Sequence, residues 1–556
     1  MVILNKIDSS KNKSNKPKSF LEKNIISIIT LLLLTIIVSV ITYYRILVQI
    51  NIGPVFDSFV FLSNALIFTG HSTGYSDLLR PPLFSFIISL VFRLGYVSAN
   101  TIFIVDGVFF VFGVIGLYLL LKIKFNDLES FLGSLLYASF PIVLLYLGFG
   151  FSDLASVSFS IWAIYLLVLA VKKNSRFFYL AFPFAMLAFL TRYNSGLLIF
   201  PIFLYITMNR ARVDLKNFVL GILASLIVIV PVFIFFYEKF GSILYPFINF
   251  SETSTSVATG SASYNLNVFF FLEKFPIYVG TQSIVIMMIV IVGIVLYLFL
   301  KTFRGQTNYK FLEGLNLKSK IIKIKLVALV ILLVIFLGSF DKTVYIVSEV
   351  LFLPLAYLFY DLTKNRINNI NLHVMVFSWF MAFFIFSSVF VIKDARYFLL
   401  MTPPIAYFMI LGLSEVSNKL NFRIRNINIV FPVIAIILTS FILFSTATQL
   451  PIILHGNKGI TLTDEQSQMA SQWLSSYDPN YKNKNIYSDL APNFSWYLNT
   501  NVKQITVLNS DSVIMINNYL VSNNVEYYLY NGQGLNLSSY TPIKKFGNVT
   551  IYQKNP

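Results

Sequence analysis

Apolar stretches long enough to cross a membrane recur along most of this chain of 556 residues. A bilayer core about 30 Å thick needs roughly 20 apolar residues in a helix that rises 1.5 Å per residue. Only 12% of the residues are charged, whereas 57% are hydrophobic. The stretches are continuous and far longer than the alternating strands of a membrane barrel, so they predict a polytopic α-helical membrane protein.

About thirteen transmembrane helices are predicted, some of them short for a full bilayer. They cover residues 24–48, 99–121, 127–148, 154–171, 177–191, 194–208, 217–237, 281–300, 325–340, 343–361, 373–392, 397–414 and 428–447. The predicted organisation is a basic tail (1–23), a transmembrane domain (24–447) with long outer loops at 49–98 and 238–280, and a C-terminal domain (448–556).

Alternate connections between these helices are basic, for example Lys122–Lys124, Lys172–Arg176 and Asn209–Lys216. The positive-inside rule therefore predicts a cytoplasmic N-terminus and an extracytoplasmic C-terminal domain in a multi-pass protein of the cell membrane. The same rule explains the formal net charge of +18, so no nucleic-acid partner is predicted. A crossing at Leu83–Gly95 would reverse the later loops, and 13 residues reach only about 20 Å. This segment is predicted to be a non-crossing helix at the outer face.

The C-terminal domain has a different sequence character from the rest of the chain. The segments "NKNIYSDL", "VKQITVL" and "VEYYLY" read as short strands. The segment "TDEQSQMASQWLSS" reads as a helix capped by Thr463 or Asp464. These patterns predict a small α/β domain.

Several kinds of chemistry are excluded or disfavoured by composition. The chain has no cysteine and only three histidines, at 71, 373 and 455. It contains no P-loop, no dinucleotide-binding glycine pattern and no HExxH. The remaining candidates are charged residues predicted to lie at the outer ends of the helices.

Two of these candidates are carboxylates and one is an arginine before a proline pair. Asp57, just after the first helix, suits either a general base or a helix N-cap. Asp153 suits a cap for the fourth helix. Arg80 precedes Pro81-Pro82 and suits either a phosphate or lipid headgroups.

Two further arginines lie beside apolar segments. Placing the charge of Arg192 between apolar segments costs free energy unless an acidic group pairs with it. Asp57 or Asp153 is a candidate partner. In "VIKDARYFLLMTPP", Lys393 and Arg396 could neutralise an anion or anchor the membrane interface together with Tyr397. Asp106 and Glu349 lie inside predicted spans, where hydrogen bonding between helices is the simplest role.

The order of these motifs resembles the GT-C membrane glycosyltransferases. The branch of protein O-mannosyltransferases and lipid A aminoarabinose transferases (glycosyltransferase family 39 and relatives) is the most similar. The resemblance covers residues 20–450 approximately. It is carried by Asp57, "YSDLLRPPL" (75–83), Asp153, "TRY" (191–193) and "ARYFLLMTPP" (395–404).

The resemblance implies a polyprenyl-phosphate sugar donor and an inverting transfer to a hydroxyl of a glycan, lipid or protein at the outer membrane face. It implies that Asp57 is the general base and that Asp153 places the acceptor or, in some relatives, a divalent metal ion. Arg80 and Arg396, with Lys393, would bind the donor phosphate. Tyr75, Arg192, Tyr193 and Tyr397 from the same motifs would line the substrate cavity.

Two other functions stay open at this point. A secondary transporter would place Arg192, Asp106 and Glu349 near the middle of the membrane, whereas a transferase would gather the motif residues around one outward cavity. A lipid-linked oligosaccharide ligase or polymerase would use a pyrophosphate-linked glycan. The mannosyltransferases usually have an Asp-Glu pair where this chain has Asp57-Ser58, which weakens the prediction of a protein acceptor.

Overall fold

The computed structural model describes residues 20–249, 263–303, 319–420, 422–424, 427–505 and 513–556. Most of these residues are helical. The helices are α1 (Phe20–Ile52), α2 (Phe56–Phe68), α3 (Leu83–Arg93), α4 (Asn100–Leu121), α5 (Asp127–Ala138), α6 (Pro141–Tyr146), α7 (Asp153–Lys172), α8 (Phe178–Thr191), α9 (Ile199–Met208), α10 (Leu215–Phe240), α11 (Phe270–Glu273), α12 (Phe275–Phe303), α13 (Lys320–Ser339), α14 (Tyr345–Thr363), α15 (Ile370–Val389), α16 (Thr402–Leu420), α17 (Val430–Gly456), α18 (Lys458–Tyr477), α19 (Ala491–Leu498) and α20 (Val513–Ser522).

Ten of the described helices are long and apolar enough to cross a membrane. Helical backbone is what a bilayer core requires, because every peptide group must find its hydrogen-bond partner within the segment. The predicted fold class, a helical membrane protein with a small C-terminal sheet, is confirmed. Three of the thirteen predicted spans coincide with shorter helices (α5 with α6, α8, and α9), so the number of crossings stays a prediction.

Helix α3 is only 11 residues long, which corresponds to about 16 Å. Phe84, Ile88 and Phe92 are buried at helical spacing, whereas Phe86 and Leu90 on the other side are exposed. This one-sided pattern is typical of a helix that lies along an interface rather than across it. Both the short length of α3 and this burial pattern agree with the predicted non-crossing helix.

The basic connections meet at one end of the helical bundle. Lys124, after α4, lies 3.8 Å from the carboxylate of Glu415 near the end of α16. Lys172, at the end of α7, donates a hydrogen bond to Asn369 in the connection before α15. The motif residues of the resemblance lie near the opposite ends of the helices.

A buried arginine fixes the segment that leads to α7. Arg45 of α1 donates hydrogen bonds to the carbonyl oxygens of Leu144 (2.7 Å) and Leu145 (2.8 Å), and to the side chain of Gln49. Because these donors are fully buried, their partners compensate the cost of removing the guanidinium from water. The C-terminal half of α6 is thus held against α1, shortly before α7 begins at Asp153.

The C-terminal region contains a five-stranded sheet. Its strands are β5 (Ile486–Ser488), β6 (Val502–Gln504), β7 (Tyr527–Asn531), β8 (Tyr540–Phe546) and β9 (Val549–Lys554), and two-residue strands β1 (Ser263–Tyr264), β2 (Ile392–Lys393), β3 (Arg423–Ile424) and β4 (Ile427–Asn428) precede them in the chain. The order is β6-β5-β7-β9-β8, with β6, β5 and β7 parallel and the rest antiparallel. A strand lies in each of the three segments that the sequence predicts.

The helix before this sheet begins earlier than predicted. Helix α18 starts at Lys458, so Thr463 and Asp464 lie inside it and do not cap it. The apolar run continues through Pro451–Leu454, which lets α17 extend to Gly456, and α18 follows almost directly. Asp464 instead accepts a hydrogen bond from the hydroxyl of Tyr497 at 2.7 Å.

The C-terminal region packs against the end of the bundle where the motif residues lie. The ring of Phe59 in α2 lies 6.5 Å from that of Trp496 and 5.5 Å from that of Tyr497. Gly74, at φ +86°, lies so close to Asn501 that an added Cβ would come within 2.5 Å of the Asn501 Cβ. The outer loop and the C-terminal region therefore meet without space for a side chain at position 74.

Gly74→Ala is expected to loosen this contact. The alanine would carry the cost of a left-handed backbone and an additional overpacking cost of about 1 to 3 kcal/mol. Gly70→Ala is the matched control, because Gly70 has φ +82° and nothing within 4 Å of its added Cβ. We expect lower thermal stability and faster proteolysis of the C-terminal region in Gly74→Ala than in Gly70→Ala. Equal effects of the two substitutions would show that the close contact contributes nothing.

Candidate functional site

Asp57 lies between two arginines from distant parts of the chain. One carboxylate oxygen is 2.9 Å from Nη2 of Arg80, and the other is 2.9 Å from Nη1 of Arg396. Asp57 is in the first turn of α2, but the N-cap is Val55 and no side chain caps this helix. The capping alternative for Asp57 is therefore wrong, and its carboxylate belongs to an ion-pair cluster.

Each of the two arginines has a second carboxylate on its Nε atom. Arg80 Nε lies 2.9 Å from Asp77, and Arg396 Nε lies 3.0 Å from Asp394. We call Asp57, Asp77, Arg80, Asp394 and Arg396 the ion-pair cluster. With every side chain ionised, its three carboxylates and two guanidinium groups carry a net charge of −1, so the arginines have no uncompensated positive charge.

The elements around the cluster hold these side chains in place. Asn64 of α2 donates to the carbonyl oxygen of Asp77 and accepts from its N–H, at 2.8 Å and 3.1 Å. Asp394 caps the 3-10 helix Ala395–Met401 by accepting the backbone N–H of Arg396. The hydroxyl of Tyr146 donates to Asp394 at 3.4 Å. The orientation of both arginines is thus fixed by backbone and by buried side chains.

The guanidinium groups dominate the titration of Asp57. Burial alone would raise the pKa of its carboxyl, but Arg80 and Arg396 outweigh burial and hold the pKa well below its usual range. Burial would lower the pKa of Arg80, yet Asp57 and Asp77 raise it further above its usual value. Asp57 is therefore ionised in this state, but it is a weak base because it is paired twice.

A second ion pair lies beside the cluster. Arg192, the C-cap of α8, pairs with Asp153 in the first turn of α7. Its guanidinium lies 5.3 Å from the ring centroid of Tyr397, the residue after Arg396. The structure therefore gives Arg192 the partner Asp153, one of the two that the sequence suggests, near the ends of α7 and α8.

The tyrosines of the motifs lie around the two ion-pair groups. Tyr193 donates from its hydroxyl to the carbonyl oxygen of Leu79, next to Arg80, at 3.2 Å. Tyr75 is half-buried, and burial, reinforced by Asp77, raises the pKa of its hydroxyl, which therefore stays protonated. These contacts place Tyr75, Tyr193 and Tyr397 beside Arg80, Asp77 and Arg192.

The sequence predicts that Lys393 contacts a phosphate, but the structure places its side chain elsewhere. Its ammonium group is buried and donates to the carbonyl oxygens of Ser387 (2.8 Å), Ser388 (2.6 Å) and Phe390 (2.5 Å). These carbonyls close the C-terminal end of α15, where a cation is favourable. All three N–H donors of the ammonium group form these hydrogen bonds, so the proposed phosphate site does not include Lys393.

Sequence reasoning did not include Asp77, Asn64 and Tyr146 among the site residues. The sequence contains a signal for Asp77, because this residue lies three positions before Arg80 in the same motif. For Asn64 and Tyr146 it contains none, since nothing in the local sequence of their largely apolar helices distinguishes them. Their roles depend on contacts between distant elements.

The described residues do not fit a divalent metal site. No group of three His, Asp or Glu side chains among them is arranged to hold a metal ion. Asp57 and Asp153, the carboxylates of the resemblance, each pair with arginine. No step of the proposed mechanism uses a metal.

Two cavities in the described part of the chain lie away from the ion-pair cluster. One of about 420 Å³ is lined by apolar residues of α13 to α16 and by His373. The other, of about 670 Å³, lies between the outer loop and the C-terminal region. Neither of these two cavities is lined by Asp57, Arg80, Asp153 or Arg396. The outward cavity predicted around those four residues is therefore not one of them.

Comparison with known proteins gives a family match and a shared fold. Residues 79–235 match the family of dolichyl-phosphate-mannose-protein mannosyltransferase. No curated protein sequence matches the chain.

Three solved structures share the fold of this chain. ArnT from Cupriavidus metallidurans has a TM-score of 0.55 and 11% identity when bound to undecaprenyl phosphate, and 0.56 and 12% in the apo state. Each match covers 94% of this chain and 97% of ArnT. The apo oligosaccharyltransferase of Archaeoglobus fulgidus has a TM-score of 0.52 and 13% identity, covering 92% of this chain and 70% of that one.

These comparisons confirm the resemblance that the motifs carry. At such low identity the solved structures show a common fold, and the family match adds the segment that contains Arg80, Asp153 and Arg192. Together, these comparisons show a segment similar to the dolichyl-phosphate-mannose-protein mannosyltransferase family, within a fold that the chain shares with ArnT and the oligosaccharyltransferase.

Proposed function

We propose that this protein transfers a sugar from a polyprenyl-phosphate donor to an acceptor hydroxyl at the outer face of the membrane, with Asp57 as the general base. The observation that carries the proposal is the double ion pair of Asp57 with Arg80 and Arg396. It joins the expected base directly to the two expected phosphate-binding residues. The basic connections at the opposite end of the bundle support an outer position for this site.

The two arginines are arranged to bind a phosphate. In each, the Nε side is held by its own carboxylate, Asp77 or Asp394, while a terminal nitrogen reaches Asp57. A phosphate diester that took the place of the Asp57 carboxylate would meet two preorganised donors. The family match and the undecaprenyl phosphate bound to ArnT support a polyprenyl phosphate as that ligand.

Binding of the donor would also activate the base. An anionic phosphate that takes Nη2 of Arg80 and Nη1 of Arg396, the two nitrogens that hold Asp57, would displace this carboxylate. Loss of the two ion pairs, together with the nearby phosphate, would raise the pKa of the carboxyl toward its usual range. A stronger base would then be present only when there is a donor to react with.

The chemical step is a single displacement with inversion. The acceptor oxygen attacks the anomeric carbon while its proton passes to Asp57. The bond from that carbon to the phosphate oxygen breaks, and its electron pair stays on the departing polyprenyl phosphate. Arg80 and Arg396 stabilise the charge that grows on that oxygen. Asp153, oriented by Arg192, would help to place the acceptor hydroxyl, with Tyr75, Tyr193 and Tyr397 around it.

The function is tested by incubating purified protein with a panel of polyprenyl-phosphate and polyprenyl-pyrophosphate sugars and acceptors. We expect release of polyprenyl phosphate from a monophosphate donor. Because the fold is similar to that of an oligosaccharyltransferase, the panel also includes pyrophosphate-linked glycans. Exclusive use of pyrophosphate donors would replace the proposal with an oligosaccharide ligase. No turnover of any polyprenyl-linked donor would contradict it.

Asp57→Asn is expected to reduce transfer by about 10²- to 10⁴-fold, the contribution of a positioned general base. The variant should still fold, because Arg80 and Arg396 keep Asp77 and Asp394 as partners. Asp341→Asn, at an exposed aspartate between α13 and α14, is the control and should keep full activity. Transfer within tenfold of wild type in Asp57→Asn, with normal expression and membrane insertion, would remove Asp57 as the base.

Arg80→Lys and Arg396→Lys are each expected to raise the donor KM roughly tenfold or more, because lysine keeps the charge but cannot hold a carboxylate and a phosphate with one rigid fork. The acceptor KM should change much less. Arg176→Lys, at the opposite end of the bundle and exposed, is the matched control. Unchanged donor KM values in both site variants would contradict their role in phosphate binding.

The pH–rate profile is expected to differ between the free and the donor-bound enzyme. Because Arg80 and Arg396 hold the pKa of Asp57 low, the acid limb of kcat/KM for the donor should lie well below the usual carboxyl range. At saturating donor the same carboxyl has lost both partners, so the acid limb of kcat should move to higher pH. An acid limb that stays in place or moves to lower pH on saturation would contradict release of Asp57 by the donor.

A further inference from the structure

A cavity of about 670 Å³ with both polar and apolar lining residues lies between the outer loop and the C-terminal region. Its lining comes from the end of α2 and the following turn, from the end of α3, and from α19 with its C-cap. The lining residues are Leu66, Thr69, His71, Ser72, Thr73, Phe92, Arg93, Val97, Trp496 and Asn499. We call it the loop cavity. Its volume is in the range typical of small-molecule sites.

The lining combines one indole with several groups that can form hydrogen bonds. Trp496 is half-buried, with Phe59 and Phe92 beside its ring at centroid distances of 6.5 Å and 6.3 Å. Arg93 uses one terminal nitrogen on the carbonyl oxygen of Phe68, and its guanidinium has further donors. Asn499, in a left-handed conformation after α19, adds an exposed amide.

The hydroxyl of Thr73 gives a separate indication that the cavity holds a polar ligand. Thr73 is only 3% exposed, and its Oγ1 forms no hydrogen bond with any described residue. Its neighbours in the turn are satisfied, since Thr69 donates to Leu66 and Ser72 accepts from Gly74. A buried hydroxyl without a partner is costly, and a small shift of its turn toward the cavity would let a ligand hydroxyl satisfy it.

The loop cavity is connected to the ion-pair cluster by a continuous, fixed stretch of chain. Residues 69–80 line the cavity at their start and carry Asp77 and Arg80 at their end. Asn64 clamps the backbone of Asp77 to α2. Along α2, the separation of nine positions between Asp57 and Leu66 corresponds to about 14 Å. A ligand in the cavity would therefore lie beside the reacting groups without touching them.

We propose that the loop cavity is an acceptor subsite that binds the sugar units of an oligosaccharide remote from the reacting hydroxyl. This inference depends on the proposed function for the identity of the reaction. A flat indole face suits the apolar face of a sugar ring, and the hydroxyl, amide and guanidinium groups suit its hydroxyls. The exposed polar residues His71, Ser72 and Asn499 do not suit a lipid chain. Binding energy from remote sugar units would be available to orient the reacting one.

Binding can be measured without turnover through tryptophan fluorescence. The chain has four tryptophans, and only Trp496 lines the loop cavity. We expect mannose, glucose or N-acetylglucosamine oligosaccharides of two to five units to change the emission of the full-length protein in detergent. Trp496→Phe, which keeps a ring against Phe59 and Phe92, should abolish the change. Trp473→Phe should retain it, because Trp473 packs on Tyr477 in α18. No emission change with any oligosaccharide, or one that survives Trp496→Phe, would overturn the proposal.

Acceptor kinetics separate this inference from the proposed function. In the wild type, the acceptor KM should fall as the oligosaccharide lengthens. Thr73→Val should reduce that gain severalfold while leaving the KM for a single sugar and for the donor unchanged, and Thr73→Ser, which keeps the hydroxyl, should behave like wild type. An acceptor KM independent of length, or preference for a Ser/Thr peptide, would overturn the subsite even with full donor turnover. Absence of donor turnover would instead contradict the proposed function, and the fluorescence measurement would still decide the subsite.

Discussion

The shared carboxylate of Asp57 is the interaction on which the arrangement of the site depends. It joins α2 to Arg80 in the following loop and to Arg396, 339 residues away in the chain. Each arginine needs a second carboxylate to remain oriented, and Asp77 and Asp394 provide them. The cluster is electrostatically complete without a ligand. An anion that took Nη2 of Arg80 and Nη1 of Arg396 would exchange with Asp57, and in the proposed function this exchange links donor binding to release of the base.

The surrounding fold explains how the charges can be held so closely in an apolar protein. Arg45 fixes the segment before α7, and Asn64 fixes the loop before α3. The C-terminal region packs against α2 and the outer loop through Trp496, Tyr497 and the close approach at Gly74. The same surfaces that hold the cluster in place also enclose the loop cavity. The proposed donor site and the proposed acceptor subsite are thus parts of the same end of the bundle.

Much of this organisation could be predicted from sequence, for physical reasons. Helical length and apolar composition are constrained by the bilayer, so the helices and the short α3 could be placed. The positions of Arg80 and Arg396 followed from motifs, but their shared partner did not, because no local pattern reports a contact across 339 residues. Asp57 and Lys393 show the limit most clearly. By sequence Asp57 suits a helix cap, but it lies in the first turn of α2 and forms two ion pairs. Lys393 has the charge of a phosphate ligand, but it donates to carbonyl oxygens at the C-terminal end of α15.

The central claim is that the donor phosphate replaces Asp57 on the terminal nitrogens of Arg80 and Arg396. An experimental structure of the protein in a lipid nanodisc with undecaprenyl phosphate tests it most directly. The account predicts phosphate oxygens within hydrogen-bond distance of both terminal nitrogens, with Asp77 and Asp394 still at the Nε atoms and Asp57 unpaired. A phosphate bound elsewhere while Asp57 keeps both arginines would contradict it.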